Sequence, residues 1–159
     1  METKDIMLYQ TGSGGDMAIL NNDLVLGDVL FQQVHLALFG GNLRANTESS
    51  YIGTEERFDY WGNSLIWRDS RPEQFNSNTE RTLRNVVLNS SGRLAILQAV
   101  NTDLEAIKGF ANFTASVSLL GINSVKITIE LSGKTNTESK TLEVIFDNSK
   151  NELILQQKI

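Results

Sequence analysis

Val125-Lys126-Ile127-Thr128-Ile129-Glu130-Leu131 carries an apolar side chain at every second position. A strand sends successive side chains to opposite faces, so this stretch predicts a strand with one buried and one wet face. The same period returns on both sides of it. Phe113 to Leu120 alternates apolar and small polar residues, and Leu142, Val144 and Phe146 alternate again. Gly133 to Ser139 is a polar turn between two of these runs. Asn148-Ser149-Lys150-Asn151 is another, before a last short strand at Leu153 to Gln156. Strands joined by short polar turns predict a C-terminal antiparallel β-meander.

Upstream of the meander the period changes to that of helices. Ser77-Asn78-Thr79-Glu80 places a Ser three residues before a Glu, the spacing of a capping box. Leu83, Val86 and Val87 supply the apolar face of the helix it opens, and Asn89-Ser90-Ser91-Gly92 breaks it. A further helical run from Arg93 to about Lys108 carries Leu94, Leu97, Leu104 and Ile107, and Gly109 closes it. An earlier helix is expected from about Asp28, a residue suited to the N-cap, to Phe39. Leu30, Val34, Ala37 and Leu38 fall on one face of it, with Phe31 beside them, and Gly40-Gly41 ends it. The chain opens with short strands. Ile6-Met7-Leu8-Tyr9 is followed by the flexible break Thr11-Gly12-Ser13-Gly14-Gly15. Met17 to Leu20 and Asp23 to Leu26 flank Asn21-Asn22, a pair that tolerates positive φ and so predicts a tight hairpin. The sum is an α+β fold over residues 1–159 as a single domain. Helices pack on a mainly antiparallel sheet, with an N-terminal hairpin and a C-terminal β-meander.

Residues 42–76 are the least regular part. They hold the one proline, Pro72, and the aromatic residues Phe58, Tyr60, Trp61 and Trp67. A loop of this length in a compact domain is often functional. The aromatic cluster has two readings. It plugs a satellite core under the loop, or it anchors a partner, since Trp and Tyr dominate interface hot spots.

The totals exclude several function classes. The chain has 159 residues and a formal net charge of -5, with no Lys/Arg run. Binding a phosphate backbone requires a concentrated basic face, so no nucleic-acid partner is expected. Cysteine is absent, so there is no disulfide and no thiolate metal site. No stretch approaches the roughly 20 apolar residues of a membrane span, and no membrane partner is expected. Met1-Glu2-Thr3-Lys4-Asp5 lacks the order of a signal peptide, so a protein made and used in the cytoplasm is expected.

The candidate chemical motifs are thin. Gly12-Ser13-Gly14-Gly15 lacks the Gly-Lys-Ser/Thr ending that brings a Lys to phosphates, and reads as a turn. His35 is the one histidine, so any His-based triad or metal site would have to use it, yet it sits between Val34 and Leu36 in a helix that must bury a face. Glu55, Glu56 and Asp59 lie near the aromatic cluster. Glycoside hydrolysis needs two carboxylates on opposite sides of a cleft, and Glu55 and Glu56 are adjacent. Asn89-Ser90-Ser91 and Asn112-Phe113-Thr114 match the glycosylation sequon by chance. No catalytic residue, cofactor or metal ligand is therefore expected.

The order of elements and several short words resemble the small wedge protein of Mu-type contractile-tailed phage baseplates. Asp5-Ile6 begins a first strand, and Gly15-Asp16-Met17-Ala18 resembles that family's Gly-Asp-Leu turn. Asn22-Asp23-Leu24 continues the hairpin, and Val34 to Phe39 is similar to a family helix ending in Leu-X-Leu-Phe. Tyr60-Trp61-Gly62-Asn63 resembles its Trp-Trp-Gly-Asp signature, and Ser64-Leu65-Ile66-Trp67 a compressed Ser-Arg-Leu-Trp segment. Thr79-Glu80-Arg81-Thr82-Leu83 is similar to the Thr-X-Glu-Thr-Leu that opens the next helix. The sequence departs from the pattern at Tyr60 and Asn63. The junction Ala106-Ile107-Lys108-Gly109-Phe110 also lacks the Glu-Pro-Arg of the related T4-type wedge and sheath-initiator proteins.

The resemblance implies a structural component of a contractile tail baseplate that joins the wedge around the tail tube and starts the sheath. The implied partners are a large baseplate wedge protein, tube-hub proteins and the tail sheath. Multiple copies would sit in a symmetric assembly, in the virion after assembly in the host bacterial cytoplasm. Candidate partner-binding residues are Tyr60, Trp61 and Trp67 in the loop and Leu153, Ile154 and Leu155 in the last strand. The last strand is expected to carry apolar residues on both faces, which solvent-facing edges usually avoid. It, or the Leu142 to Phe146 strand beside it, is the expected acceptor edge for sheath; the alternative is that it simply completes the domain's own sheet. The alternatives are a small non-catalytic adaptor outside any tail and a peptidoglycan muramidase.

Overall fold

The alternating stretch at 125–131 becomes the inner strand of a four-stranded antiparallel sheet. The computed structural model describes residues 4–11, 14–40, 77–134, 139–150 and 152–158. In the C-terminal half β7 (Ala111–Leu119), β8 (Ser124–Gly133), β9 (Ser139–Asp147) and β10 (Glu152–Lys158) form a meander in the spatial order β10-β9-β8-β7. Val125, Ile127, Ile129 and Leu131 are 0–1% exposed, and Leu142, Val144 and Phe146 stand beside them in the core. The opposite face carries Lys126, Thr128 and Glu130 on β8 and Asn112, Thr114, Ser116 and Ser118 on β7. The period of two thus sorts core from solvent as the sequence predicts.

Among the described residues three helices share a core with the apolar face. They are α1 (Val29–Phe39), α2 (Asn78–Asn85) and α3 (Ser90–Leu104), the last tightening into a 3₁₀ turn at Glu105–Ile107. Val34 and Leu38 of α1, Leu83 of α2 and Ile96, Val100 and Leu104 of α3 are fully buried against the sheet. α1 begins directly after Asp28, which is the last residue of a strand.

Two expectations about the helices change. The run placed from Arg93 starts at Ser90, with Asn89 as its N-cap, the Asn89 side chain accepting from the Gly92 N–H at 2.8 Å. Its buried stripe is Gly92, Ile96, Ala99, Val100, Asp103 and Leu104. Leu94 is 55% exposed and Leu97 lies at the margin. Both stripes have helical spacing, and contact with the sheet selects the first. Val87 is likewise 74% exposed, because α2 stops at Asn85 and Val87 falls in the link between helices.

The N-terminal segment is a three-way backbone junction. β1 (Lys4–Ile6) pairs with β6 (Leu26–Asp28), β2 (Leu8–Thr11) with β3 (Gly14–Met17), and β4 (Ile19–Leu20) with β5 (Asp23–Leu24). The three ribbons meet at Met7, Ala18 and Val25, which close a ring of backbone hydrogen bonds. Met7 donates to the Val25 carbonyl, Val25 to that of Ala18, and Ala18 to that of Met7, at 2.8–2.9 Å. The expected Asn21-Asn22 hairpin forms, with φ of 52° and 62°, the left-handed pair that a two-residue turn of this type requires.

Candidate functional site

The predicted partner-binding residues separate into two groups. Tyr60, Trp61 and Trp67 lie outside the described residues, as do Phe58, Glu55, Glu56 and Asp59. Leu153, Ile154 and Leu155 lie in β10, opposite Phe146, Ile145 and Val144 of β9. Among the described residues β10 is the outermost strand on its side of the sheet. The Leu142 to Phe146 strand, expected as an alternative acceptor edge, is β9 and lies between β8 and β10. Both of its backbone sides are therefore engaged, and it has no edge to offer while β10 is in place.

The direction of the open backbone groups of β10 follows from the ladder. Residues of an antiparallel pair alternate between hydrogen-bonded and non-hydrogen-bonded positions. Asn148 donates to the Asn123 carbonyl at 2.7 Å, which continues the β8–β9 register and turns the even residues of β9 toward β8. Its odd residues then face β10, where Asp147 meets Glu152 and Ile145 meets Ile154. The amides and carbonyls of Leu153, Leu155 and Gln157 consequently point to the open side. That is a backbone template for an added strand.

A second polar constellation joins the helices, and sequence reasoning passed over its centre, Asp103. The Asp103 carboxylate accepts from the Asn78 N–H at 3.0 Å, the Thr79 N–H at 2.7 Å and the Asn78 side-chain amide at 2.8 Å. Ser77, the N-cap of α2, accepts from the Glu80 N–H at 3.1 Å, and its hydroxyl donates to the Leu38 carbonyl at the end of α1. One carboxylate and one hydroxyl thus tie the start of α2 to the ends of α1 and α3. A negative charge against a helix N-terminus is favourable, and here it satisfies N–H groups that the helix leaves without partners. The available signal was an acid inside an apolar stripe, beside Leu104.

The expected capping box forms by half. Ser77 caps Glu80, but the Glu80 carboxylate turns to Arg84 at 2.8 Å. Burial pushes the Glu80 carboxyl up to about 7 from its ordinary 4.5, against the pull of the Arg84 guanidinium. Its Oε2 has no hydrogen-bond partner.

His35 is half-buried on α1, with its ring 5.5 Å from that of Phe39 and its Nδ1 without a partner. Burial lowers its pKa, which favours the neutral imidazole. Among the described residues no three His, Asp or Glu side chains gather as a metal site. The Asp103 carboxylate is occupied by helix donors and so is poorly placed to act as a base.

Several apolar side chains of the N-terminal ribbons stand out into solvent. Ile19 is 68% and Leu20 66% exposed, and Leu24 and Leu26 are also exposed. No protein-family model matches the chain, and comparison with curated proteins and with solved structures finds no match.

Proposed function

We propose that this chain is a structural subunit of a contractile tail baseplate, joining the wedge around the tube and initiating the sheath. The words quoted above, from Gly15-Asp16-Met17-Ala18 to Thr79-Glu80-Arg81-Thr82-Leu83, support that reading. The observation that carries it furthest is the position of β10, an outer strand whose register directs the backbone groups of Leu153, Leu155 and Gln157 outward. A sheath segment added there gains a run of backbone hydrogen bonds, with alternate side chains setting the register. In this reading the large wedge protein and the tube-hub proteins contact other surfaces, with Tyr60, Trp61 and Trp67 as anchors. The chain performs no catalysis in this reading.

Deleting Leu153–Ile159 tests it in a reconstituted tail. The expected product is a folded protein that still joins the wedge but nucleates no sheath. Full-length sheath on the truncated protein would overturn the role of β10. A fully active peptidoglycan hydrolase, losing turnover on Glu55→Gln or Glu56→Gln, would overturn the structural reading as a whole.

A further inference from the structure

The sheet has a second outer strand, β7, at the side away from β10. Among the described residues β8 is its one strand neighbour. The ladder again fixes which backbone groups are open. Leu120 donates to the Ser124 carbonyl at 2.9 Å and continues the β7–β8 register, so the even residues of β7 face β8. The amides and carbonyls of Ala111, Phe113, Ala115, Val117 and Leu119 therefore point away from the sheet.

β7 carries none of the devices that a strand itself can hold against pairing, which are charges, proline, bulges and shortness. β7 runs for nine residues, Ala-Asn-Phe-Thr-Ala-Ser-Val-Ser-Leu, with no charge and no proline, and pairs with β8 without a bulge. Every other strand of the sheet is charged. β8 has Lys126 and Glu130, β9 has Lys140, Glu143 and Asp147, and β10 has Glu152 and Lys158.

We infer that two copies of this chain associate through β7, antiparallel across a two-fold axis at Ala115, into one continuous sheet. A two-fold at Ala115 sets each residue opposite the one equally far from Ala115 on its other side, so charges along the strand would be buried in pairs at the seam. β7 avoids this by having no charge. The axis at Ala115 makes the outward-pointing residues the hydrogen-bonded pairs, as the open amides and carbonyls require. Phe113 then stands opposite Val117 of the second copy, an aromatic to β-branched pair. Thr114 stands opposite Ser116, two hydroxyls on the wet face.

The turns at the two ends of β7 supply an independent observation. Phe110 is 65% exposed, Leu120 54% and Ile122 89%. These are large apolar side chains in water, at the two ends of an edge whose own outer face is polar. Phe110 and Leu120 are equally distant from Ala115 along the chain. The same two-fold therefore brings Phe110 of one copy against Leu120 of the other, twice, with Ile122 next to each pair. One axis position accounts for both the uncharged edge and the exposed apolar ends. Both copies present their helices on the same face of the joined sheet, with α3, which packs on β7, close to the seam.

Sedimentation of the full chain tests the proposal. The expected species has twice the 17.7 kDa mass of one chain. Thr114→Lys with Ser116→Lys, at two solvent-exposed positions, sets like charges opposite each other and should give a folded monomer that melts cooperatively, at a temperature that, unlike the wild type's, does not depend on protein concentration. Thr114→Glu with Ser116→Lys should restore the dimer, because each introduced acid then faces an introduced ammonium group. A structural defect would not be rescued by that exchange. If the double lysine variant unfolds, Phe110→Ser takes its place and should weaken the dimer at least about tenfold. A wild type that is monomeric up to its solubility limit overturns the proposal. So does a dimer that survives the double lysine or Phe110→Ser variant unweakened, or an open-ended polymer, which would mean pairing between β7 and β10.

Discussion

Asp103 is 8% exposed, and burying its carboxyl group costs stability unless its oxygens find donors. Here the donors are the two backbone amides and one side-chain amide at the start of α2. Asp103→Ala removes the acceptor and leaves these buried N–H groups unpaired. The expected loss is about 3 kcal/mol, since stranded donors cost more than the bond itself contributes. A urea titration followed by circular dichroism measures it. Glu80 gives the opposite sign and a pH dependence. Its carboxyl titrates near 7 in the folded chain and near 4.5 when free, so the folded state holds the proton more tightly. The stability this confers is complete below about pH 4.5 and is lost as the pH rises through 7. Glu80→Gln keeps a partner for Arg84 and has no charge to bury. It should stabilise the protein by about 1–3 kcal/mol at pH 8 and by almost nothing at pH 4.5, because one pKa unit corresponds to about 1.4 kcal/mol. Equal effects at the two pH values would refute the assignment.

At the scale of elements the sharpest constraint is the passage from α2 to α3. The chain leaves α2 at Val86 in extended conformation and enters α3 through Asn89 within three residues. Gly92 sits in the first turn of α3, against the backbone of the link. A Cβ there would lie 2.0 Å from the Val87 carbonyl oxygen and 3.1 Å from a Val86 methyl. Two effects oppose each other on Gly92→Ala. Helix propensity favours Ala by about 1 kcal/mol, while forcing a backbone shift in a packed junction costs about 1–3 kcal/mol or more. The contact is with backbone, which cannot swing aside as a side-chain tip can, so the clash wins. Net destabilisation is expected, with a lower melting temperature by differential scanning calorimetry. An unchanged or higher one would show that α2 and α3 separate freely.

Across the whole molecule, burial is unevenly divided. The core runs from Val34 to Phe146 and draws on α1, the other helices and the sheet. Among the residues of the N-terminal ribbons whose burial is described, none adds a buried apolar side chain to it, and Met7, Met17, Ile19, Leu20, Leu24 and Leu26 are all exposed. Stabilisation scales with apolar area removed from water, so the ribbons contribute little to the body. Deleting residues 1–26 should leave α1 and the sheet folded, with a stability change of about 1 kcal/mol or less. Thermal melting checks this. A collapse of the melt would mean that the backbone ring at Met7, Ala18 and Val25 organises α1. The exposed ribbon residues would then be surface that the body needs, instead of surface kept for another molecule.

Much of this architecture is written in local chemistry. The period of two at Val125 to Leu131 and at Leu142 to Phe146 determined the buried face, because a strand has two sides and only one can leave water. Asn21-Asn22 determined a hairpin, because both residues accept positive φ. Ser77 and Glu80 announced a helix start. Other features needed the third dimension. Leu94 and Ile96 belong to competing stripes of one helix, and the sheet beneath α3 decided between them. Glu80 met the spacing of a capping box, but Arg84 one turn away took its carboxylate. Asp103 lies 24 residues from the Thr79 amide it accepts from, a distance that no local pattern spans. Of the candidate site, apolar residues in a final strand could be read from the sequence. That β10 is an edge and the Leu142 to Phe146 strand is not depends on strand order. So does the place of β7 at the other end of the strand order. Order in a sheet is settled by which strands share a core, and that is a property of the folded chain as a whole.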